Sequence, residues 1–311
     1  MAPDISIVMP ARNEGMRVVE TILSFARARA TDAVLEFVIA DDASDENANL
    51  ALLAAMDELL AEPAVHIHVH RLDERQGVPR ARNHAAAHAT APILFITDAH
   101  VRVSTGWDQL VFDHLEPRRI LAGVTVEENT PFVGYGCRLV VPFMGTYWNR
   151  EDPGGPVPLQ IATCPATIIA RDLYEELGGY DPGMELYGSA EPEFSLRAWL
   201  SEAEILLHPD LRITHRFKPR AEREAFIAEV RPAMVHNALR FGLLYLSEAG
   251  CLQLLRYQAR KFPNLFDEAI AMVDASDVWA RREALERTLP RRFDWFVEHF
   301  DLKDQIGGDL L

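Results

Sequence analysis

Three cysteines in 311 residues, Cys137, Cys164 and Cys251, are too few, odd in number and too widely spaced for a disulfide framework or a Cys-x-x-Cys metal site. They read as small buried hydrophobes in a chain held in a reducing cytosol. No run approaches the roughly 20 apolar residues that span a bilayer. The N-terminus has no basic stretch followed by an apolar one; strand material starts at Ile5. A cytoplasmic protein with no membrane span is therefore expected. Positive charge is also short: 31 Lys and Arg against 47 Asp and Glu leave a net charge of -16. Such a surface repels nucleic acid and anionic lipid on average, so no nucleic-acid partner is expected, while a local basic pocket remains compatible with it. Neither Gly-x-Gly-x-x-Gly nor Gly-x-x-x-x-Gly-Lys-Ser/Thr occurs, which leaves no support for a standard dinucleotide site or a P-loop. Repeats and low-complexity linkers are absent too.

What is present centres on Pro92-Ile93-Leu94-Phe95-Ile96-Thr97-Asp98-Ala99-His100. Four apolar residues followed by a carboxylate read as a buried parallel strand ending at a site. Ligands of open α/β sheets collect outside the carboxyl ends of strands. Residues 98 and 100 are two apart, so in extended geometry their side chains leave on one face. A carboxylate and an imidazole there can hold a divalent metal; the bland alternative is a turn cap beside an ordinary loop histidine.

The preceding hundred residues alternate strand and helix patterns. Ile5 to Pro10, Leu35 to Ala40 and Val65 to His70 read as strands, with helix patterns after Gly15 and from about Asn47 to Leu60, and an alanine-rich helix, opened by the turn Arg75 to Arg82, to about Ala89. This β-α-β-α-β-α-β order argues for a parallel sheet with right-handed crossovers. Polar strand ends at Asn13-Glu14, Asp41-Asp42 and Asp98-His100 would line one edge, suiting a base and ribose held by carboxylates and a diphosphate carried by a metal. The strand His66-x-His68-x-His70 shows the alternation of a half-solvated face, with a metal comb as the alternative.

The second half is less regular. A helix from Trp107 to about Leu115 and a strand over 120–126 are followed by Gly-, Pro- and aromatic-rich residues 127–160, which have loop composition. Exposed aromatics there (Phe132, Tyr135, Phe143, Tyr147, Trp148) would meet an acceptor or cover the sheet as a flap. Helices are expected over 171–177, closed by Gly178-Gly179, and around Phe194 to Trp199, with a short strand over 205–207. From about Ala221 the pattern is amphipathic helix, with apolar stripes at Ala238, Phe241, Leu244, Tyr245 and at Leu252, Leu255, Ala259.

Four stretches together carry a family resemblance over about residues 5–220. They are Asp98-Ala99-His100 with Gly106-Trp107; Arg75-Gln76-Gly77 with Arg80-Ala81-Arg82; Glu175 through Met184; and Tyr187-Gly188 through Trp199 followed by His215-Arg216-Phe217-Lys218. The pattern resembles the family 2-like nucleotide-sugar glycosyltransferases of GT-A fold, and within them the catalytic domain of polypeptide N-acetylgalactosaminyltransferases and their bacterial relatives. The resemblance implies an α/β chain with a mostly parallel central sheet flanked by helices. Residues 1–220 would be the glycosyltransferase domain, split into a nucleotide-binding half (1–105) and an acceptor and sugar half (106–220). Residues 221–311 would be a helical extension, which does not resemble the lectin domain of the animal enzymes.

The same resemblance implies roles. Asp98, His100 and His215 would ligate Mn²⁺ (or Mg²⁺), which would neutralise the leaving UDP. Lys218 would add charge at the diphosphate. Ala11, Arg12, Asn13, Glu14, Asp41, Asp42, Arg75, Gly77, Arg82 and Ala99 would form the nucleotide-sugar subsite, and Tyr187, Gly188 and Trp148 the sugar and acceptor pocket. The departures are Tyr187 for the family's tryptophan, Ala190 for its glutamate, Glu191 for its asparagine, and Cys164-Pro165-Ala166-Thr167 for Gly-Gly-Leu-Phe. An acid at Glu191 serves inverting relatives as general base on the acceptor hydroxyl, whereas retaining relatives use none; both outcomes stand, as does Glu191 as a first-turn helix acid like Glu193. The expected activity is sugar transfer from a UDP-sugar to a hydroxyl on a peptide or saccharide. The alternatives are a sugar nucleotidyltransferase, whose glycine-rich N-terminal loop is missing at Pro10-Ala11-Arg12-Asn13-Glu14, and a non-catalytic nucleotide-sugar-binding protein, which Ala190 would favour.

Overall fold

The computed structural model describes residues 1–45 and 64–303. The helix expected from Asn47 to Leu60 and the chain's last residues, 304–311, lie outside them. Strands β1 (Ile5–Ala11), β2 (Leu35–Asp41), β3 (Val65–Arg71) and β4 (Ile93–Ile96) form the parallel half of a ten-stranded sheet. Their spatial order is β3-β2-β1-β4, with Ile5 opposite both Leu35 and Ile93. Alternate residues feed two cores. Ile5, Ile7, Met9, Phe37 and Phe95 pack with Phe25 of helix α1 (Met16–Arg27) and with Trp107, in edge-to-face pairs of 4.9–6.2 Å. Val8, Val38, Ala40, Leu94 and Ile96 face helix α2 (Val78–His88) through Ala81 and Ala85. With both faces covered, β2 is a continuous buried run.

The second half makes the sheet mixed. Beyond β5 (Val101–Val103) and helix α3 (Trp107–His114) comes β6 (Arg119–Glu127). β11 (Thr167–Ala170) runs antiparallel between β4 and β6. β12 (Glu204–His215) is parallel to β6 and antiparallel to β5. The short strand expected over 205–207 is thus a twelve-residue strand, with a register shift between His208 and Arg212 around Pro209.

Residues 127–160 are more structured than their composition suggests. β7 (Val133–Gly134) pairs with β6, β8 (Cys137–Val140) and β9 (Gly145–Trp148) form a hairpin, and β10 (Val157–Pro158) pairs with β12. Of the aromatics expected to be exposed, Tyr147 is and Tyr135 is buried, so the segment is a packed flap. Helix α4 (Arg171–Leu177) ends on Gly178 in the left-handed conformation, as the Gly-Gly pair predicts.

Helix α5 (Ala190–Leu200) is buried along nearly its whole length. Helices α6 (Arg220–Tyr245), α7 (Glu248–Lys261), α8 (Phe266–Asp274), α9 (Val278–Thr288) and α10 (Phe293–His299) share one buried cluster with it. Two polar links fix α6 there. Arg240 and Asp181, both with fully buried side chains, meet at 2.7 and 3.0 Å. Glu193, a first-turn acid of α5 as expected, is fully buried, where it holds Arg197 at 2.8 Å and accepts from the Tyr245 hydroxyl at 2.6 Å. The apolar stripe expected on α7 is rotated: Leu252 is exposed, and Cys251, Leu254 and Gln258 face inward. Gly242 of α6 makes room for Leu254, since a Cβ there would lie 2.2 Å from its Cδ2. No described helix is long and apolar enough to cross a membrane.

Candidate active site

The carboxyl ends of β1, β2, β4 and β12 open into a cleft of about 1350 Å³. Strand register builds its centre. β4 ends at Ile96, two residues before Asp98, and Ala99 and His100 lie in a bend. The pleat argument for residues 98 and 100 therefore does not apply; the turn sets their direction. Thr97 fixes that turn through its N–H to the Val8 carbonyl (3.0 Å) and its hydroxyl to the Pro165 carbonyl (2.8 Å). β5 starts immediately after His100, and Val101 sits opposite His215. The Arg216 N–H closes the ladder on the His100 carbonyl at 3.2 Å. Two histidines 115 positions apart thus become cross-strand neighbours.

Their ring nitrogens meet. His100 Nε2 and His215 Nε2 are 3.2 Å apart, and His215 Nε2 is 3.3 Å from Asp98 Oδ2. Cis ligands with metal–ligand bonds of roughly 2.1 Å are separated by about 3 Å, so these edges suit one shared cation. Two nitrogens and a carboxylate oxygen form a donor set for a first-row divalent ion. The set is backed by further side chains. His100 Nδ1 lies 3.3 Å from Glu14 Oε2, at ion-pair range but short of a well-aligned hydrogen bond. Lys218 Nζ is 3.6 Å from Glu14 Oε1. Arg82, fully buried, donates to Asp98 Oδ1 at 3.0 Å and also to Glu191 Oε1.

Burial opposes ionisation of Asp98, but the His215 hydrogen bond and the charges of Arg82, His215 and His100 outweigh it and hold the carboxyl below the usual aspartate range. Burial likewise opposes ionisation of Glu14; contacts with His100, Lys218 and Arg17 overcome it and bring the pKa to about 2. Both acids are therefore anionic at neutral pH and suited to a cation.

The remaining expected residues divide. Ala11, Arg12, Asp42, Arg75, Gly77 and Ala99 line the cleft. Asp42 ties its two carboxylate oxygens to the Gln76 and Gly77 N–H groups, and Arg12 reaches the Asp42 and Ala43 carbonyls. Gly77, at φ 83, must be glycine, because a Cβ would lie 2.2 Å from the Leu186 Cα. Asp41 is turned to structure: its carboxylate takes Arg71 at 2.6 Å and the Ser44 N–H at 3.0 Å, and it does not line the cleft. Arg75 is paired with Glu229 of α6. Tyr187, Gly188, Trp148 and Glu191 line the far side. Glu191 Oε1 accepts from Cys164 Sγ at 2.8 Å as well as from Arg82. Burial first, then the Glu191 carboxylate, push the Cys164 thiol well up, which keeps it a protonated donor.

Sequence reading missed a whole wall. Phe226, Glu229, Arg231 and Met234 of α6 line the cleft, and Gln258 and Phe262 extend it. Buried Asn237 holds the loop beneath: its amide donates to the carbonyls of Glu185, Tyr187 and Gly188 (2.7–3.1 Å), and its Oδ1 accepts the Glu185 N–H at 2.8 Å. The apolar stripe Phe226, Val230, Met234, at i, i+4 and i+8 along α6, was the available signal.

Residues 6–178 match the model of Glycosyl transferase family 2. The chain is 27% identical over 316 residues to the probable polypeptide N-acetylgalactosaminyltransferase 8 of Homo sapiens, covering 96% of this chain and 48% of that protein. It is 25% identical over 327 residues to polypeptide N-acetylgalactosaminyltransferase 11 of Xenopus tropicalis, covering 98% and 51%. The chain thus spans about half the length of these curated relatives. Among solved structures, that of GalNAc-T7 with UDP, GalNAc and Mn²⁺ aligns at a TM-score of 0.74 and 20% identity, over 96% of this chain and 57% of that one. The mannosyltransferase PcManGT from Pyrobaculum calidifontis, with GDP-Man and Mn²⁺, aligns at 0.52 and 16% identity, over 97% and 80%. The fold they share is GT-A, a mixed α/β sheet flanked by helices. With the family model spanning more than half of its length, the chain belongs to glycosyl transferase family 2.

Proposed function

We propose that the chain is a metal-dependent glycosyltransferase that moves a hexose or N-acetylhexosamine from a UDP-sugar to an acceptor hydroxyl, on a peptide or a saccharide. The observation that carries this reading is the convergence of Asp98, His100 and His215 at the strand-end wall of a large cleft. Support comes from relatives named as polypeptide N-acetylgalactosaminyltransferases and from a similar structure holding UDP, GalNAc and Mn²⁺.

In this proposal Asp98, His100 and His215 hold Mn²⁺ (or Mg²⁺). When bound, the cation supplies Lewis-acid stabilisation of the diphosphate leaving with UDP. Glu14 orients the His100 ring from its far nitrogen. Arg82 holds Asp98 by Oδ1, leaving Oδ2 toward His215. Lys218 adds positive charge at the diphosphate. Ala11, Arg12, Asp42, Arg75, Gly77 and Ala99 shape the nucleoside subsite, and Tyr187, Gly188 and Trp148 the sugar and acceptor side. Glu191 is committed through Oε1 to Arg82 and Cys164, which favours a positioning role over a general base. Residues 1–105 and 106–220 as donor and acceptor halves, and 221–311 as an extension walling the cleft, belong to the same proposal. So does a cytosolic setting, supported by three free cysteines.

The test is turnover of a panel of UDP-sugars with Mn²⁺, followed by mass spectrometry. Release of UDP with free or transferred sugar is expected. Pyrophosphate release from a nucleoside triphosphate would point to a nucleotidyltransferase, and no turnover of any donor would contradict the proposal.

A further inference from the structure

Outside the cleft, a second group of side chains has ligand spacing. His70 on β3 and His84 and His88 on α2 bring one ring nitrogen each within 4.8 Å of one another. His84 and His88 are four apart on one helical face, and the ring of His70 lies 5.9 Å and 4.0 Å from theirs. Of the three strand histidines only His70 joins this group; His68 lies 3.8 Å from Glu36 instead.

The tautomer suits coordination. His88 Nδ1 is 2.9 Å from the His84 carbonyl. A carbonyl only accepts, so Nδ1 carries the proton and Nε2 keeps its lone pair outward, the arrangement that metal-bound imidazoles adopt. His70 and His84 are partly buried and His88 is exposed, so a cation can reach the group from solvent.

We propose that His70, His84 and His88 form a second divalent-cation site, selective for an imidazole-preferring ion of the Zn²⁺ class and completed by water. Three imidazoles without a carboxylate favour Zn²⁺, Ni²⁺ or Cu²⁺ over Mn²⁺, which separates this site from the Asp98 group. The bound ion would tie β3, an edge strand of the sheet, to α2. Between these elements runs the 72–77 loop, whose Gln76 and Gly77 N–H groups hold Asp42 in the cleft. The site is therefore a structural staple on the nucleotide side, with no part in the transfer step.

The test counts Zn²⁺ bound by the tag-free full chain after equilibrium dialysis, in the wild type and in H84A/H88A. The double variant is expected to bind one equivalent fewer, and micromolar Zn²⁺ is expected to raise the wild-type Tm but not the variant's. Equal stoichiometry in the two proteins would overturn the proposal. Should the double variant fail to fold, H88Q alone, at an exposed position, carries the same comparison. Mn²⁺-dependent UDP binding is a separate readout expected to be the same in H84A/H88A as in the wild type, so failure of the cleft reading and failure of this one are distinguishable.

Discussion

The cleft has two walls of different origin. The strand-end wall is assembled from polar residues at or just beyond strand ends: Glu14 after β1, Asp42 after β2, Asp98 with His100 after β4, and His215 at the end of β12. Its charges are dense and mutually paired. The helical wall is one face of α6, docked through Arg240 on Asp181, Tyr245 on Glu193 and Asn237 on the 185–188 loop. In the proposed function the first wall would hold a cation and a diphosphate, and the second, with its apolar and mixed side chains, would shape an acceptor. Chemistry and shape therefore depend on different kinds of sequence, and substitutions separate them.

The largest expected effect falls on the helical wall. Arg240→Ala leaves Asp181 buried without its partner, and a loss of about 3–5 kcal/mol is expected in denaturant unfolding. The pair also sets a pH signature. Burial opposes the Asp181 charge, but Arg240 and Arg281 outweigh it and the folded pKa is lowered. The stabilisation is thus present above the ordinary aspartate pKa of about 3.9 and is lost as pH falls below it. An acid limb equally steep in wild type and Arg240→Ala would break this link.

The next effect belongs to the strand-end wall. His215→Ala is expected to lower turnover on the order of a hundred- to a thousandfold, read in a UDP-release assay. An unchanged rate would remove His215 from the cation site. Glu14→Gln is expected to weaken Mn²⁺ affinity by roughly 10- to 100-fold, measured by titration, because it orients His100 from behind. Smallest is Glu229→Ala, which releases partly exposed Arg75 at the junction of the two walls. Stability should change by less than about 1 kcal/mol. A larger loss would mean that the walls are joined at Arg75.

The contrast also explains what the sequence made legible. β1, β2 and β4 were readable because a strand buried on both faces writes itself as a local apolar run with acids just beyond it, and β3 because its His-x-His-x-His alternation is that of a half-exposed strand. The pairing of His100 with His215 came only through family resemblance, since the register that creates it joins Val101 to a strand end more than a hundred residues away. β12 was read as too short because His208-Pro209-Asp210 looks like a break, and the sheet absorbs it as a register shift. The α7 stripe was misphased: packing around Gly242 selected Leu254 and buried Gln258, whose amide donates to the Phe143 carbonyl at 3.2 Å. Asp41 and Asp42 are indistinguishable in sequence; their neighbours Arg71 and Gly77 decide which one reaches the cleft. The α6 wall stayed hidden because its cleft-facing residues have no motif and gain meaning only from what they face.

Calorimetric titration of UDP into the protein, with and without Mn²⁺, tests the central claim most directly. UDP binding that requires Mn²⁺ in the wild type and is lost in His215→Ala is the predicted result. UDP binding of equal strength with and without the cation would contradict it.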